Sequence, residues 1–395
     1  MLISEVKNHL ENCIIPFWKN LRDDTYGGYY GYVNFNLELE AKAVKGCILN
    51  SRIMWFFSNA YTTLKDESLL EEANHAFEFM KSHCIDTTCE GVFWMLDYKG
   101  NPVEDMKHTY NQAFAIYALS SYYLASHNQE ALEMALSLFH LIEKKCKDEY
   151  GYLEAFDRKW QPIDNHKLSD NKHMEAEGKV AEKTMNTILH VLEAYTELYR
   201  VSKEAEVGAC LRKILEMVDE KVYNRETKQL EVFFDTKLHS IANMHSYGHD
   251  IEAAWLIDRA AEMLEDKELI EKTKEYTVEI AYKVKEVAFT KQGMKNERFN
   301  DEIDTTRIWW VQAEAVVGFL NAYEKTSDPI FKEAANDMWQ YIKNYMLDKR
   351  TNSEWFWQVD ENGRPNTDYP IVEPWKCPYH NGRMCLEVIR RKIDV

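Results

Sequence analysis

A chain of 395 residues that is 45% hydrophobic and 13% aromatic can bury a large interior. Its 66 acidic residues outnumber 48 basic ones, for a formal charge of −18 with no compensating Lys/Arg block, so the surface repels phosphate backbones and anionic membranes and disfavours an acidic substrate. Nucleic acid and membrane are therefore not expected as partners, and no apolar run reaches the length of a membrane span.

Taken in chain order, apolar residues recurring three and four apart predict amphipathic helices over 4–19, 45–64, 68–84, 106–126, 129–145, 180–200, 204–219, 247–264, 267–286, 305–325, 328–346 and 378–392. Residues 1–7 open the first of these and lack the basic-then-apolar layout of a signal peptide. Between helix pairs lie short aromatic or β-branched ribbons at 28–32, 91–95, 151–156, 230–234, 293–297 and 354–357. Several of them run into turns, such as Tyr98-Lys99-Gly100-Asn101-Pro102 and Asp360-Glu361-Asn362-Gly363-Arg364-Pro365, and read as small hairpins. A helix–helix–ribbon unit repeated in this way is an architectural repeat. Six such units close into an all-α (α/α)6 barrel with every ribbon at one end. No linker divides the chain, so 1–395 is expected to be one catalytic domain.

Segment 161–179 breaks the rhythm. It is polar and turn-rich and carries His166 and His173, which suits a solvated surface loop or, as the sharper reading, a lid over the ribbon end. The eight cysteines, at 13, 47, 84, 89, 146, 210, 377 and 385, form no Cys-x-x-Cys pair and read as reduced thiols of a cytoplasmic protein. Cys377 and Cys385 flank His380, but their spacing matches no zinc pattern, and buried thiols are the expectation.

Chemistry-bearing residues gather at the starts of the inner helices. In chain order they are Arg52; His108, Tyr110 and Asn111; Asn186 and His190; His249, Asp250 and Glu252; Trp309, Trp310 and Glu314; His380 and Arg383. A closed barrel brings these positions to one rim, an aromatic-lined pocket with several titratable groups. His249 and Glu252 are three residues apart, while Asn186 and His190, like Trp310 and Glu314, are four apart, so each pair shares a helix face. A carboxylate beside an imidazole fixes its tautomer and raises its basicity, whereas a helix N-terminus favours the neutral ring. Of Trp309 and Trp310, one is expected to face inward and stack on a ring of the ligand. Asp97, Asp157, Asp235 and Asp360 lie on ribbons and could serve a glycoside hydrolase, or be turn residues only.

Arg52, Ser246-Tyr247-Gly248-His249-Asp250-Ile251-Glu252, Trp309-Trp310-Val311-Gln312-Ala313-Glu314 and Trp375-Lys376-Cys377-Pro378-Tyr379-His380-Asn381-Gly382-Arg383-Met384 resemble the cellobiose 2-epimerases, of the N-acylglucosamine 2-epimerase superfamily. The resemblance spans essentially the whole chain and implies an (α/α)6 barrel. It implies inversion at C2 of the reducing-end sugar of a β-1,4-linked disaccharide such as cellobiose, lactose or mannobiose, with no metal and no redox cofactor. It further implies His249 and His380 as the acid–base pair and His190 as their helper. Arg52, Tyr110 and Asn186 would bind sugar oxygens, Glu252 and Glu314 would orient the histidines, and Trp310 and Trp375 would stack on the rings. An aldose–ketose isomerase acting on mannose-type sugars and an (α/α)6 glycoside hydrolase remain alternatives. A monomer or weak homodimer is the expected assembly.

Overall fold

The computed structural model describes residues 2–168 and 172–393, and the side chains of Lys172 and His173 lie outside that description, as does the expectation for His173. Among the described residues the α-helices are α1 (Leu2–His9) and α2 (Ile15–Lys19), joined by the π-helical turn Leu10–Ile14, then α3 (Cys47–Leu64), α4 (Glu67–Phe79), α5 (Thr109–Ser126), α6 (Gln129–Leu141), α7 (Lys172–Ala176), α8 (Met185–Ser202), α9 (Ala205–Met217), α10 (Tyr247–Met263), α11 (Lys267–Val287), α12 (Trp309–Thr326), α13 (Pro329–Tyr341) and α14 (His380–Arg391). Helices α3, α5, α8, α10, α12 and α14 pack on one another in that order, and α14 returns to α3. The ring is closed. Around it α4, α6, α9, α11 and α13 each pack on the inner helix before them, and α1 packs on α14, which completes an (α/α)6 barrel.

Burial follows from this placement. Helix α5 is covered on every side from Thr109 to Tyr122, whereas α11 buries only Leu269, Thr273, Tyr276, Thr277, Ile280, Ala281 and Val284, the stripe of a helix with one wet face. Inner-to-outer corners are tight. Lys65, His127, Lys203 and Ser327 each take a left-handed φ of 55–61°. After three of them, Asp66, Asn128 and Asp328 cap the next helix by accepting the N–H two residues on. No helix among the described residues is long and apolar enough to cross a membrane.

The ribbon end is stitched by a relay. Lys45–Gly46, Lys107–His108, Lys183–Thr184, Met244–Ser246 and Arg307–Ile308, which lead into α3, α5, α8, α10 and α12, pair with Met95–Leu96, Ala155–Phe156, Phe233–Phe234, Glu297–Phe299 and Gln358–Val359 of the next ribbon along. Val33 of the first ribbon bridges Val372, just ahead of α14, and closes the relay. These lead-in residues correct the helix starts expected at 45, 106, 180 and 305: the backbone there is extended because its hydrogen bonds go to the neighbouring unit. Buried lysines lock the stitch, with Lys45 on Asp23 at 2.6 Å, Lys107 on Asp86 at 3.0 Å and Lys183 on Asp148 at 2.6 Å.

Both expected hairpin turns form. Asp97 and Asp360 there, and Asp157 and Asp235 in the matching turns of two other ribbons, do the same work: one carboxylate oxygen of each accepts the backbone N–H two and four residues on, at 2.8–2.9 Å. The ribbon aspartates are turn residues.

Candidate active site

A cavity of about 410 Å³ opens on the barrel axis at the ribbon end, within the roughly 300–1,000 Å³ of small-molecule sites. Arg52, Tyr110, Asn186, His190, His249, Glu252, Trp309, Trp310, Trp375 and His380 all line it. Glu314, the remaining expected site residue, is fully buried beneath the floor and reaches the pocket through His380.

Three imidazoles meet here, each held at Nδ1 by a different partner. Nδ1 of His380 lies 2.8 Å from Oε1 of Glu314, that of His190 lies 2.9 Å from Oε2 of Glu193, and that of His249 lies 2.8 Å from Oγ of Ser246. Each ring therefore has Nε2 left for the pocket. The indole of Trp310 sits between two of them, its centroid 4.7 Å from that of His249 and 5.4 Å from that of His380. Burial, helped by the charge of His190, pushes His249 down to about 3. Burial, then the neighbouring Arg383 and Arg52, holds His380 well below the ordinary imidazole range. Both rings are neutral bases near pH 7.

Beneath the floor one guanidinium serves three carboxylates. Arg383 donates to Glu193 and Tyr379 through one terminal nitrogen, and to Glu252 and Glu314 through the other; its Nε reaches Glu314 at 3.2 Å. One cation cannot offset three buried anions, and the acids divide accordingly. Glu193 is held down to about 2: burial alone would raise it, but Arg383, His190 and Tyr379 outweigh that. Glu252 is pushed up to about 7 by burial and by the charge of Glu314, and Glu314 is raised by burial. Glu252, Glu314 and His380 bring ligand atoms within 4.8 Å of one another, a spacing that suits a metal ion, but Arg383 already supplies positive charge to both carboxylates.

Several polar atoms on the pocket wall have no partner among the described residues: Nε of Arg52, Oδ1 of Asn186, Oε2 of Glu252 and Nε1 of Trp309. Buried polar groups are normally satisfied, so a cluster of exceptions around one cavity marks where a polyhydroxylated ligand would bond. Arg52 is aimed by donating to the Tyr110 hydroxyl at 2.7 Å and to the Trp375 carbonyl at 3.3 Å.

Not every expected partnership forms. Glu252 does not hold His249, despite the matching helical spacing: its carboxylate turns to Arg383, and Ser246 takes the imidazole. His108 faces away from the cavity, on Asn165 at 3.0 Å, and Asn111 donates to the Phe93 carbonyl at 2.7 Å. Asp250 accepts from Gln229 and from the Leu230 N–H. All three brace ribbons. Cys377 and Cys385 are buried free thiols, as expected. Glu193, Ser246 and Trp357 belong to the site without having been singled out. The signal for Glu193 was present, since His190 and Glu193 have the same three-residue spacing as His249 and Glu252. Segment 161–179 is more than a solvated loop in its described part: Lys167 and Leu168 line the cavity, and Lys167 is anchored on Glu104 at 2.7 Å.

The sequence pattern of the N-acylglucosamine 2-epimerase (GlcNAc 2-epimerase) family matches residues 28–381. A cellobiose 2-epimerase of Ruminococcus albus is 52% identical over the full length of both chains. Among solved structures, a sugar epimerase from a ruminal bacterium superposes with a TM-score of 0.97 at 51% identity, covering all of both chains. The cellobiose 2-epimerase of Bacillus thermoamylovorans superposes at 0.94 and 45% identity, covering 99% of each. With histidines, acids and tryptophans gathered at one rim of such a barrel, the chain belongs to the N-acylglucosamine 2-epimerase family.

Proposed function

We propose that this chain is an isomerase that inverts C2 of the reducing-end glucose or mannose of a β-1,4-linked disaccharide, with cellobiose the first substrate to test. The single observation that carries the reading is the pair of buried imidazoles, His249 and His380, flanking the Trp310 indole in an aromatic pocket. Its relatives are cellobiose 2-epimerases, which supports the disaccharide. One catalytic domain, one small-molecule substrate, and a monomer or weak homodimer in the cytoplasm complete the proposal, with no metal and no redox cofactor in the scheme.

The C2 proton of a sugar is acidic only in the open-chain aldehyde, so the site must first open the ring. An imidazole then removes that proton to give an enediolate, and inversion requires a proton to return from the other face. Two histidines around one sugar meet that demand. Because both begin neutral, one takes the O1 hydroxyl proton as the ring opens while His190, as the imidazolium, protonates O5; that charged histidine is then the donor to C2, and the other, still neutral, is the base. Arg52, a permanent cation, is placed to stabilise the charge that develops on O1, and His190 serves the ring oxygen. Tyr110 and Asn186 bind sugar oxygens. Trp310 stacks on the reacting ring, and Trp375, 5.6 Å from Trp94 between ring centroids, offers a platform for the second.

The hydrolase reading loses its ribbon carboxylates, all four of which are spent on turns. Turnover of cellobiose in D₂O tests the proposal. The expected product is glucosyl-mannose carrying deuterium at C2 and none at C1 or C3, seen by NMR. A ketose labelled at C1, or free glucose, would overturn it in favour of an aldose–ketose isomerase or a hydrolase.

A further inference from the structure

His190 is held by a carboxylate of its own helix, whereas the carboxylate on His380 comes from another helix and His249 has only a hydroxyl. Glu193 lies one turn further along α8, and both side chains are 3% exposed. Oε2 of Glu193 meets Nδ1 of His190 at 2.9 Å and accepts the Tyr379 hydroxyl at 2.6 Å, while its Oε1 takes the Arg383 guanidinium. Arg383 also binds Glu314, which holds His380. A chain of direct hydrogen bonds thus runs from His190 through Glu193, Arg383 and Glu314 to His380. Glu193 itself lies outside the cavity lining.

We infer that Glu193 is a positioning residue, which fixes the ring of His190 with Nδ1–H donated into its carboxylate and Nε2 turned to the sugar, and which ties that ring through Arg383 to the His380 side of the site. An ionised carboxylate can only accept, so it selects one tautomer of the imidazole and one orientation. Glu193 is the member of the acid cluster fitted for this, because three donors converge on it and keep it ionised at any pH at which the enzyme would work. The inference rests on the proposed role of His190. The plainer reading makes Glu193 a counter-ion for Arg383 alone.

A double-mutant cycle on cellobiose epimerisation separates the two. Glu193→Gln keeps the shape and removes the charge, and should lower kcat by about 10–100-fold with KM changed less than about threefold. In a His190→Asn background the same change should cost less than about threefold, whereas in a Trp375→Ala background it should keep its full cost. Should Glu193→Gln fail to fold, Tyr379→Phe is read in the same cycle, since it removes one donor from the same oxygen and should show a smaller loss that also vanishes without His190. A cost that stays whole beside His190→Asn, or no loss in kcat, overturns the inference alone. A His190→Asn enzyme that epimerises at the wild-type rate overturns the role of His190 and this inference with it.

Discussion

Replacing Glu314 with Gln probes the floor of the site at the point where catalysis and folding share one side chain. Oε1 of Glu314 accepts from His380 Nδ1 at 2.8 Å and from Arg383 at 2.7 and 3.2 Å, and Oε2 accepts the Trp255 indole N–H at 3.1 Å. Gln has the same length and keeps one carbonyl oxygen, so three of these four donors can stay. Its amide nitrogen then opposes the Trp255 N–H, donor against donor, at a stability cost of about 1–3 kcal/mol. The active site loses the charge behind His380. Supporting hydrogen bonds of this kind carry about 10–100-fold in activity, or about 1.4–2.7 kcal/mol of barrier. The sign on pH is fixed as well. A carboxylate favours the imidazolium, so removing it must lower the His380 pKa further, and the acid limb of kcat/KM should move to lower pH as the plateau falls. The assay is cellobiose epimerisation from pH 2.5 to 9, with brief exposure at the acid end and Tm measured in parallel. An unchanged plateau, or an acid limb displaced upward, would refute the view that Glu314 acts through His380.

Two shorter tests bear on the walls. Trp375→Ala should raise KM for cellobiose by roughly 3–10-fold, the value of one aromatic stacking contact, with kcat nearly unchanged; a fall in Tm with KM intact would make this indole a packing residue instead. Asp157→Asn should leave epimerisation within about twofold of wild type, because Asn can cap the same turn, and a loss beyond about tenfold would reinstate the ribbon carboxylates as candidates for chemistry.

Helical periodicity located each barrel helix to within about five residues at its start, because an inner helix packed on all sides and an outer helix packed on one leave different apolar patterns. What the periodicity missed are the two- and three-residue lead-in strands. They have no period of their own, and their partners, such as Met95 for Gly46, lie tens of residues downstream. Likewise, the rim residues were visible in the sequence, but not the partner of each histidine. Spacing says which residues share a helix face; it does not say which of two neighbours a carboxylate will choose once an arginine arrives from another helix. Arg383 on α14 draws Glu252 of α10 away from His249, and only the closed ring brings those helices together.

The repeat does contain a rule that separates chemistry from scaffolding among these rim residues. The fourth residue of four inner helices, counted from the helix start, is polar and accepts a ribbon N–H: Asn50 from Tyr29 at 3.0 Å, Gln112 from Val92 at 2.7 Å, Asp250 from Leu230 at 2.9 Å and Gln312 from Met294 at 2.8 Å. The sixth residue, two further on, is Arg52 in α3, Phe114 in α5, His190 in α8, Glu252 in α10 and Glu314 in α12. Two residues on a helix turn the side chain through about 200°, so the fourth position looks outward to the ribbon and the sixth looks to the axis. Asp250 illustrates the consequence. Burial pushes its carboxyl up to about 7, a value that would suit a general acid, yet its register commits both oxygens to Gln229 and Leu230. Glu252, also pushed up to about 7, sits at the axial register with one oxygen that has no partner among the described residues. A shifted carboxyl marks a working group here only when the helix register also turns it toward the sugar.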